Sequence, residues 1–557
     1  MKKPSWFSGD RLFFLPLGGC GEIGMNLSLY GYGGKWVMVD LGMSFGEDYL
    51  PGIDLVFPDP NFIADYKDDL LGLVVTHGHE DHIGAIPYLW PDLECPIYAT
   101  KFTAGLIREK LIEAGLLNQV KLIIVDDGGS VSLDPFHFRY LPLAHSILEG
   151  NALLIDTPIG KIFHTGDWKL DDRPILGKPT SAEALTKIGD EGVVALVGDS
   201  TNVFNAAASG SEGDVRDSLI KLLEGQSGRI IVATFASNAA RLHSLAKVAE
   251  ATGRHFVTMG RSMDRIVRIA KQAGYFADLP DILDIAEASH LPRNKLLVAC
   301  TGCQGEPRAA LSRIAFGDHR DLKLDPGDLV VFSSKIIPGN EKSIGRLYNQ
   351  LAADDIDVIT ERREFVHVSG HPGREELEKM YRWVRPKLAV PVHGEMRHLK
   401  AHARFAKAWD VPKTKVVENG QAMAIDADGN ADIVNEVESG RWVLDGDVIT
   451  THFSSAISER RRISQEGFVG VFVDIADKEL VDDPVFMFQG IPEVENDDEL
   501  KSNCEDAVSE AMRTFRRARQ GRADAGEIIR IAVRREVRDF CGKKPIVKVH
   551  VRDEVDG

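Results

Sequence analysis

Four side chains able to bind a transition metal fall within six positions of the segment Thr76-His77-Gly78-His79-Glu80-Asp81-His82: His77, His79, Asp81 and His82. Neutral imidazole and carboxylate are good donors to a divalent ion, and the chemistry they support is hydrolysis by metal-activated water. A polar helix start would also place Asp81 and His82 ahead of Ile83-Gly84-Ala85-Ile86, but a cap needs one such residue rather than four. Two ions need more donors than one loop supplies. Leu141-Pro142-Leu143-Ala144-His145, Ile162-Phe163-His164-Thr165-Gly166-Asp167 and Ala389-Val390-Pro391-Val392-His393-Gly394 each end an apolar run on a candidate ligand. A single strand-end histidine is more often structural than ligating; here the context recurs, and the recurrence carries the reading.

Such residues must be presented by strand ends. The first third alternates short apolar runs with glycine-rich turns, and strands are expected at Leu12–Leu15, Leu27–Tyr30, Trp36–Val39, Leu73–Val75, Leu122–Val125 and Leu153–Ile155. This predicts a sandwich with helices outside. Residues 205–214 (NAAASGSEGD) read as a flexible connector. Beyond it, strands at Arg229–Ala233, Lys295–Ala299 and Leu329–Ser333 and a helix at Asn238–Ala251 predict an α/β unit with a parallel sheet. Residues 365–445 return to short strands, including Leu388–Val392. A last unit from about Val448 is expected to hold a strand at Phe468–Val473, an acidic stretch at Glu493–Glu499, helices at Asp498–Gln520 and Gly526–Phe540 and a strand at Pro545–Val551.

The chain has 557 residues, 84 acids against 66 bases and a formal net charge of -18. It is too balanced for disorder or a coiled coil, and its length suggests three or four compact units. No apolar run is long enough to span a membrane, and Asp10-Arg11 before a short Leu12–Leu15 patch argues against a signal peptide. Six cysteines are no disulfide framework, so a reducing cytoplasm is expected; Cys300 and Cys303 alone are close enough for half a zinc site, and no second pair completes it. The acidic balance argues against indiscriminate nucleic-acid binding but permits a local basic channel. Arg513, Arg516, Arg517, Arg519 and Arg522 form a basic run that could be a solvated helix face, a subunit contact or a phosphate contact, and Arg261, Arg308, Lys335 and Arg374 are further candidates for phosphate.

The His77-Gly78-His79-Glu80-Asp81-His82 motif, followed by His145 and Asp167, resembles the metallo-β-lactamase superfamily, and Asp40 matches its first acidic motif. Within it the sequence is most similar to the β-CASP nucleases, in particular the bacterial ribonuclease J family. The similarity runs through residues 17–24 (LGGCGEIG), 166–169 (GDWK), 199–202 (DSTN), 234–238 (TFASN), 302–307 (GCQGEP), 338–341 (PGNE), 367–371 (HVSGH) and 392–395 (VHGE). Two departures, Leu148 where a proline is expected and Cys303 for a serine, touch no ligand and mark Cys300 and Cys303 as incidental.

The resemblance implies an α/β fold: a metallo-β-lactamase αββα sandwich (1–205 and 366–445) with an inserted β-CASP α/β domain (206–365) and a small C-terminal α/β domain (446–557). It implies two Zn²⁺ ions, with Mn²⁺ or Mg²⁺ as alternatives, one held by His77, His79 and His145, the other by Asp81, His82 and His393, with Asp167 bridging and Asp40 orienting the histidines from behind. Asp81 and Asp199 are expected to serve catalysis, His371 to protonate the leaving oxygen, and His367, Val368, Ser369, Gly370 and His371 to contact substrate. The activity implied is 5′-to-3′ exoribonuclease, preferring a 5′-monophosphate, with endonuclease cleavage in addition, in RNA processing and decay. RNA is the expected partner, in a homodimer or homotetramer with no membrane. The alternatives are a thioester or lactam hydrolase of the same superfamily, which needs neither the insertion nor His371, and a non-catalytic RNA-binding subunit, which would have lost ligands.

Overall fold

The computed structural model describes residues 6, 10–47, 49–288, 290–492, 498–517 and 524–553. By backbone contacts these form two units, one of residues 1–44 and 57–440, the other of 45–56 and 441–557.

Two sheets face each other in the first unit. One has eight strands in the order Ala431–Glu436, Gln421–Ile425, Leu12–Gly18, Leu27–Tyr32, Lys35–Val39, Leu70–Val74, Ile97–Thr100, Leu122–Val125. The other has seven: Ser130–Leu133, Phe136–Pro142, Asn151–Thr157, Gly160–His164, Val193–Asp199, Leu388–Val392, Lys413–Thr414. Leu12–Gly18 and Val193–Asp199 are buried along their whole length, as central strands covered on both faces must be. The shared core joins Phe14, Val37, Val39 and Val74 of the first sheet to Phe138, Leu153, Ile155, Val197 and Val390 of the second. Leu154, Phe163 and Leu196 on the second sheet's other face pack under Leu185, Leu377, Met380 and Ala401. The αββα sandwich follows from these two apolar faces.

The insertion leaves this sheet at Asp199 and returns at Leu388, and the two strands it separates lie side by side in parallel, Ala195 opposite Leu388 and Asp199 opposite Val392. Between them five parallel strands stand in the order His255–Met259, Leu296–Cys300, Ile230–Ala233, Leu329–Phe332, Asp357–Thr360.

Two expectations change. The stretch 205–214 is pinned rather than free: Glu376 accepts from the Ser209 amide (2.7 Å) and hydroxyl (2.8 Å), Gly210 O accepts from the buried Lys169 Nζ (3.1 Å), and Ser211 Oγ donates to Asp171 (2.6 Å) while capping the helix Glu212–Leu223. Small polar residues bond backbone and buried charges as readily as water, and their composition does not say which. Residues 365–445 hold more than strands: the helices Arg374–Val384 and Met396–Ala408 bury Leu377, Met380, Tyr381 and Val384, and Leu399, His402 and Ala406, at helical spacing.

A buried ion pair ties the insertion together. Arg241, fully buried, donates from Nε and Nη2 to Glu212 (3.0 Å each) and from Nη1 to Val366 O (3.0 Å), Ser333 O (3.1 Å) and Ser333 Oγ.

In the second unit the strand Phe468–Ala476 is central, with Ile546–Asp553 parallel on one side and Val485–Gln489 antiparallel on the other. The helices Asp498–Arg517 and Ala525–Cys541 cover it through Leu500, Cys504, Val508, Ile529, Val533 and Val537. Most of the acidic stretch (493–497), the helix end at Gln520, and Arg519 and Arg522 lie outside the described residues. Of the basic run, Arg513 pairs with Glu510 (2.9 Å) and Arg516 with Glu479. No helix among the described residues is long and apolar enough to cross a membrane.

Candidate metal centre

Four expected ligands, together with Asp40, lie just beyond strands of the sandwich, and His79, Asp81 and His82 follow His77 at the start of the short helix Glu80–Ile83. Asp40 follows Lys35–Val39, His77 follows Leu70–Val74, His145 follows Phe136–Pro142, Asp167 follows Gly160–His164 and His393 follows Leu388–Val392. Asp40 and His393 have left-handed backbones (φ 62° and 52°), a conformation that costs a non-glycine residue about 1–3 kcal/mol and persists where surrounding contacts impose it. His393 N donates to Gly19 O (2.7 Å) and Asp40 N to Val74 O (3.1 Å), which holds both turns.

The side chains converge in two groups. Donor atoms of His77, His79, His145 and Asp167 lie within 4.8 Å of one another, as do those of Asp81, His82, Asp167 and His393. Asp167 Oδ2 is common to both, 3.2 Å from His82 Nε2, 3.5 Å from His393 Nε2 and 3.8 Å from both His77 Nε2 and His145 Nε2.

Hydrogen bonds on the far side of four of the rings select the nitrogen that faces the centre. His82 Nδ1 donates to Asp40 Oδ2 (2.7 Å), His145 Nδ1 to Gly370 O (2.6 Å), His393 Nδ1 to Asn26 Oδ1 (2.8 Å) and His77 Nδ1 to the Thr76 hydroxyl (3.0 Å), which itself donates to Asp40 (2.8 Å). Asp40 therefore orients two histidines, one directly and one through Thr76. With their protons on Nδ1, His77 and His145 turn Nε2 lone pairs inward, 3.2 and 3.0 Å from His79 Nδ1. Burial holds His77 and His145 well below the usual imidazole range and His79 down to about 4, so the three rings are neutral. Two inward Nε2 lone pairs converging on a third ring nitrogen, His79 Nδ1, beside the Asp167 carboxylate fit a divalent cation. At the second group burial is outweighed by Asp167, Asp81 and Asp40, which push His82 well above its usual range, while His393 and His82 hold Asp167 ionised against its burial; this group also favours positive charge.

Beside the clusters, His371 Nδ1 donates to Asp199 Oδ2 (2.8 Å) and lies 3.9 Å from Asp167. Burial alone would lower its pKa, but the Asp199 and Asp167 carboxylates outweigh it and raise it to about 9. Asn202 clamps the loop, donating to Ser369 Oγ (2.8 Å) and His371 O (3.1 Å). Gly370 has a packing reason: an added Cβ would stand 2.9 Å from the His145 ring and 2.7 Å from Ser146 Oγ. Val368 is buried, and His367 is held well below its usual range by burial and by Arg241, with no partner for Nδ1 among the described residues.

Other residues of ligand type, none of them assigned to the metals from the sequence, stay outside the two groups. His164 turns away to Tyr30 OH (2.9 Å), and Cys300 and Cys303 are buried with their thiols pushed up by desolvation, Cys303 to about 12. Among the described residues neither cysteine joins a metal-binding group. The sequence reading missed Asn26, Thr76 and Asn202, and also the buried chain from Ser200 Oγ through His402 to Tyr381 OH, with both links 2.9 Å, which connects the residue after Asp199 to the helices that follow His371 and His393. Thr76 lies within the segment 76–82, Asn202 within 199–202 and Asn26 two positions after 17–24, but nothing in the sequence gives their partners.

Comparison with known proteins agrees with this architecture. Four family descriptions match: metallo-β-lactamase superfamily over residues 22–232, ribonuclease J β-CASP domain over 227–351, Zn-dependent metallo-hydrolase RNA specificity domain over 355–412 and ribonuclease J C-terminal domain over 455–553. The chain is 42% identical to ribonuclease J of Sinorhizobium meliloti over 97% of both chains, and 41% identical to that of Mycolicibacterium smegmatis over 82% of both. A solved Enterococcus faecalis protein of unknown function shares the fold over 75% of this chain and all of its own (TM-score 0.52, 16% identity). With similarity of this extent and the histidine–aspartate clusters at the strand ends, the chain belongs to the ribonuclease J family of metal-dependent ribonucleases.

Proposed function

We propose that the chain is a two-metal 5′-to-3′ exoribonuclease that prefers RNA with a 5′-monophosphate, also cuts internally, and works in cytoplasmic RNA processing and decay. The observation that carries the proposal is Asp167 Oδ2, within 3.8 Å of a ring nitrogen from each group and placed to serve both. His77, His79 and His145 would hold one ion and Asp81, His82 and His393 the other, and a nitrogen-rich set of this kind suits zinc better than manganese or magnesium. When bound, such a pair lowers the pKa of water and offsets charge on the attacking and leaving oxygens of a phosphodiester. His371, kept protonated by Asp199, donates to the departing 3′-oxygen, leaving a 3′-hydroxyl on one product and a 5′-phosphate on the next. Ser369 and the backbone of residues 367–371 contact phosphate beside it. The assembly is a homodimer or homotetramer.

The test is purified protein, assayed for metal, with labelled RNA carrying a 5′-monophosphate, triphosphate or hydroxyl, and a generic thioester alongside. Early release of mononucleotides, fastest from the monophosphate, is expected. Equal rates from all three ends would remove the end preference, and turnover of the thioester without RNA cleavage would overturn the ribonuclease assignment.

A further inference from the structure

Phe204 lies five positions after Asp199 and is 53% exposed, although its neighbours Ser200 and Val203 are fully buried. The ring is not isolated. His398 stands at 5.0 Å between centroids, tilted by 54°, and the Arg397 guanidinium lies 5.9 Å from the Phe204 centroid. Both belong to the first turn of the helix Met396–Ala408, which begins just after His393. Gly394 fixes how near this group comes to the reaction centre: a Cβ there would meet the Cβ atoms of His398 at 2.9 Å and Ser200 at 3.1 Å. Phe204, Arg397 and His398 thus sit against the paired strand ends that carry Asp199 and His393.

Two more features point to a ligand. His398 is only 6% exposed, yet its Nδ1 has no hydrogen-bond partner among the described residues, the Glu395 carboxylate being 3.9 Å away. Arg397 is 67% exposed and bonded through Nε to Glu395 (2.7 Å), which holds the guanidinium over the aromatic ring.

We infer that Phe204 is a stacking platform for one nucleobase of the substrate strand, with Arg397 meeting the adjoining phosphate. The inference rests on the ribonuclease reading, because RNA must pass these strand ends to reach the metal clusters. An exposed aromatic face beside a guanidinium fits a base and its phosphate, and every base offers a π-face, so the platform favours unpaired over paired RNA without reading sequence. A helical substrate, its bases stacked on each other, could not use it.

The test is a cycle between Phe204→Ala and an abasic site moved one nucleotide at a time along a single-stranded RNA. The readout is the enzyme concentration giving half-maximal single-turnover cleavage, with metal content measured for each protein. Phe204→Ala is expected to raise this concentration about 5- to 150-fold, the range for loss of one base–aromatic stack, and Phe204→Trp to restore it. At one position the abasic site should cost the wild-type protein the same factor and the Ala variant nothing further. Independent effects at every position, or no effect of Phe204→Ala, would overturn the inference, and would point to a protein contact if the variant changed only the mass in solution. Fluorescence anisotropy in a His371→Ala background, read before its slowed cleavage proceeds, repeats the cycle as binding, so absence of cleavage by the wild-type protein would count against the ribonuclease reading alone.

Discussion

Asp199 and His371, 172 residues apart in sequence, are joined by a hydrogen bond of 2.8 Å from His371 Nδ1 to Asp199 Oδ2. Asp199 ends the strand from which the insertion departs, and His371 lies just before the helix Arg374–Val384 that leads the chain back to the same sheet at Leu388. The two ends of the insertion thus meet beside the histidine–aspartate groups. With its pKa raised to about 9, His371 carries its proton through neutral pH and loses it as pH rises through that value. A general acid in this state gives a rate that falls on the alkaline side. Removing the Asp199 charge lowers the His371 pKa, so Asp199→Asn should move the alkaline limb of the pH–rate profile toward neutrality by about 1–3 units. An unshifted limb would show that Asp199 does not tune this proton.

The same assignment predicts the size and kind of defect in His371→Ala. Loss of a positioned acid slows the chemical step by about 10²- to 10⁴-fold with metal content kept, and saturating RNA does not restore the rate. With a 3′-sulfur leaving group, which departs without protonation, the defect should shrink. A defect equal on oxygen and sulfur substrates assigns His371 to positioning.

His77→Ala and Asp167→Ala should leave folded protein with deficient metal and essentially no cleavage, since RNA contacts extend over many other residues. Asp40→Asn is the more discriminating variant. Asp40 touches no substrate and acts through His82 and through Thr76 to His77, so its loss should weaken metal affinity about 10- to 100-fold, the usual cost of removing a ligand's partner. Excess zinc should then restore most of the rate. Metal titration beside the RNA assay checks both, and full activity of Asp167→Ala would sink the shared-carboxylate arrangement.

The convergence of these histidines and aspartates was readable because their residue types are rare in such density and because apolar runs ending in histidine or aspartate recur. What the sequence could not show was which nitrogen each ring presents. That depends on Asn26 and the Gly370 carbonyl, whose partners are 367 and 225 residues away, and on Thr76, which adjoins His77 but takes its orientation from Asp40, 36 residues earlier. His164 shows the converse: it ends an apolar run like the ligands do, yet Tyr30 across the sandwich claims its ring. The stretch 205–214 misled for a related reason, since alanine, serine and glycine look alike in a linker and in a junction gripped by Glu376 and Asp171.

Arg241 and Glu212 make a stability prediction. Both are buried, and the guanidinium also satisfies Val366 O and Ser333 O, so Glu212→Ala would strand a charge without water. Breaking such a pair from one side costs about 3–5 kcal/mol, and Ser333 and Val366 hold the insertion next to the His367–His371 segment. Denaturation of the variant should begin earlier, with activity at low temperature largely kept. An unchanged denaturant midpoint would mean that solvent reaches this junction.

The last prediction concerns assembly through the C-terminal unit. On the sheet face away from its two helices, Phe472 pairs with Val485 and Gly470 with Met487, leaving Phe472, Val485 and Met487 at 45%, 63% and 44% exposure. Ile546–Asp553 and Val485–Gln489 are the outer strands, with no further strand beside them among the described residues. Apolar side chains on an open sheet face, bordered by free strand edges, suit burial against a second copy of the same unit. Because these side chains are already solvent-exposed, Phe472→Lys and Met487→Lys should cost little folding stability, so a change in mass reports the interface itself. The double variant should sediment as a smaller species than the wild-type protein at equal concentration, with metal content and the single-turnover rate retained. If both proteins show the same mass, this face does not carry the assembly.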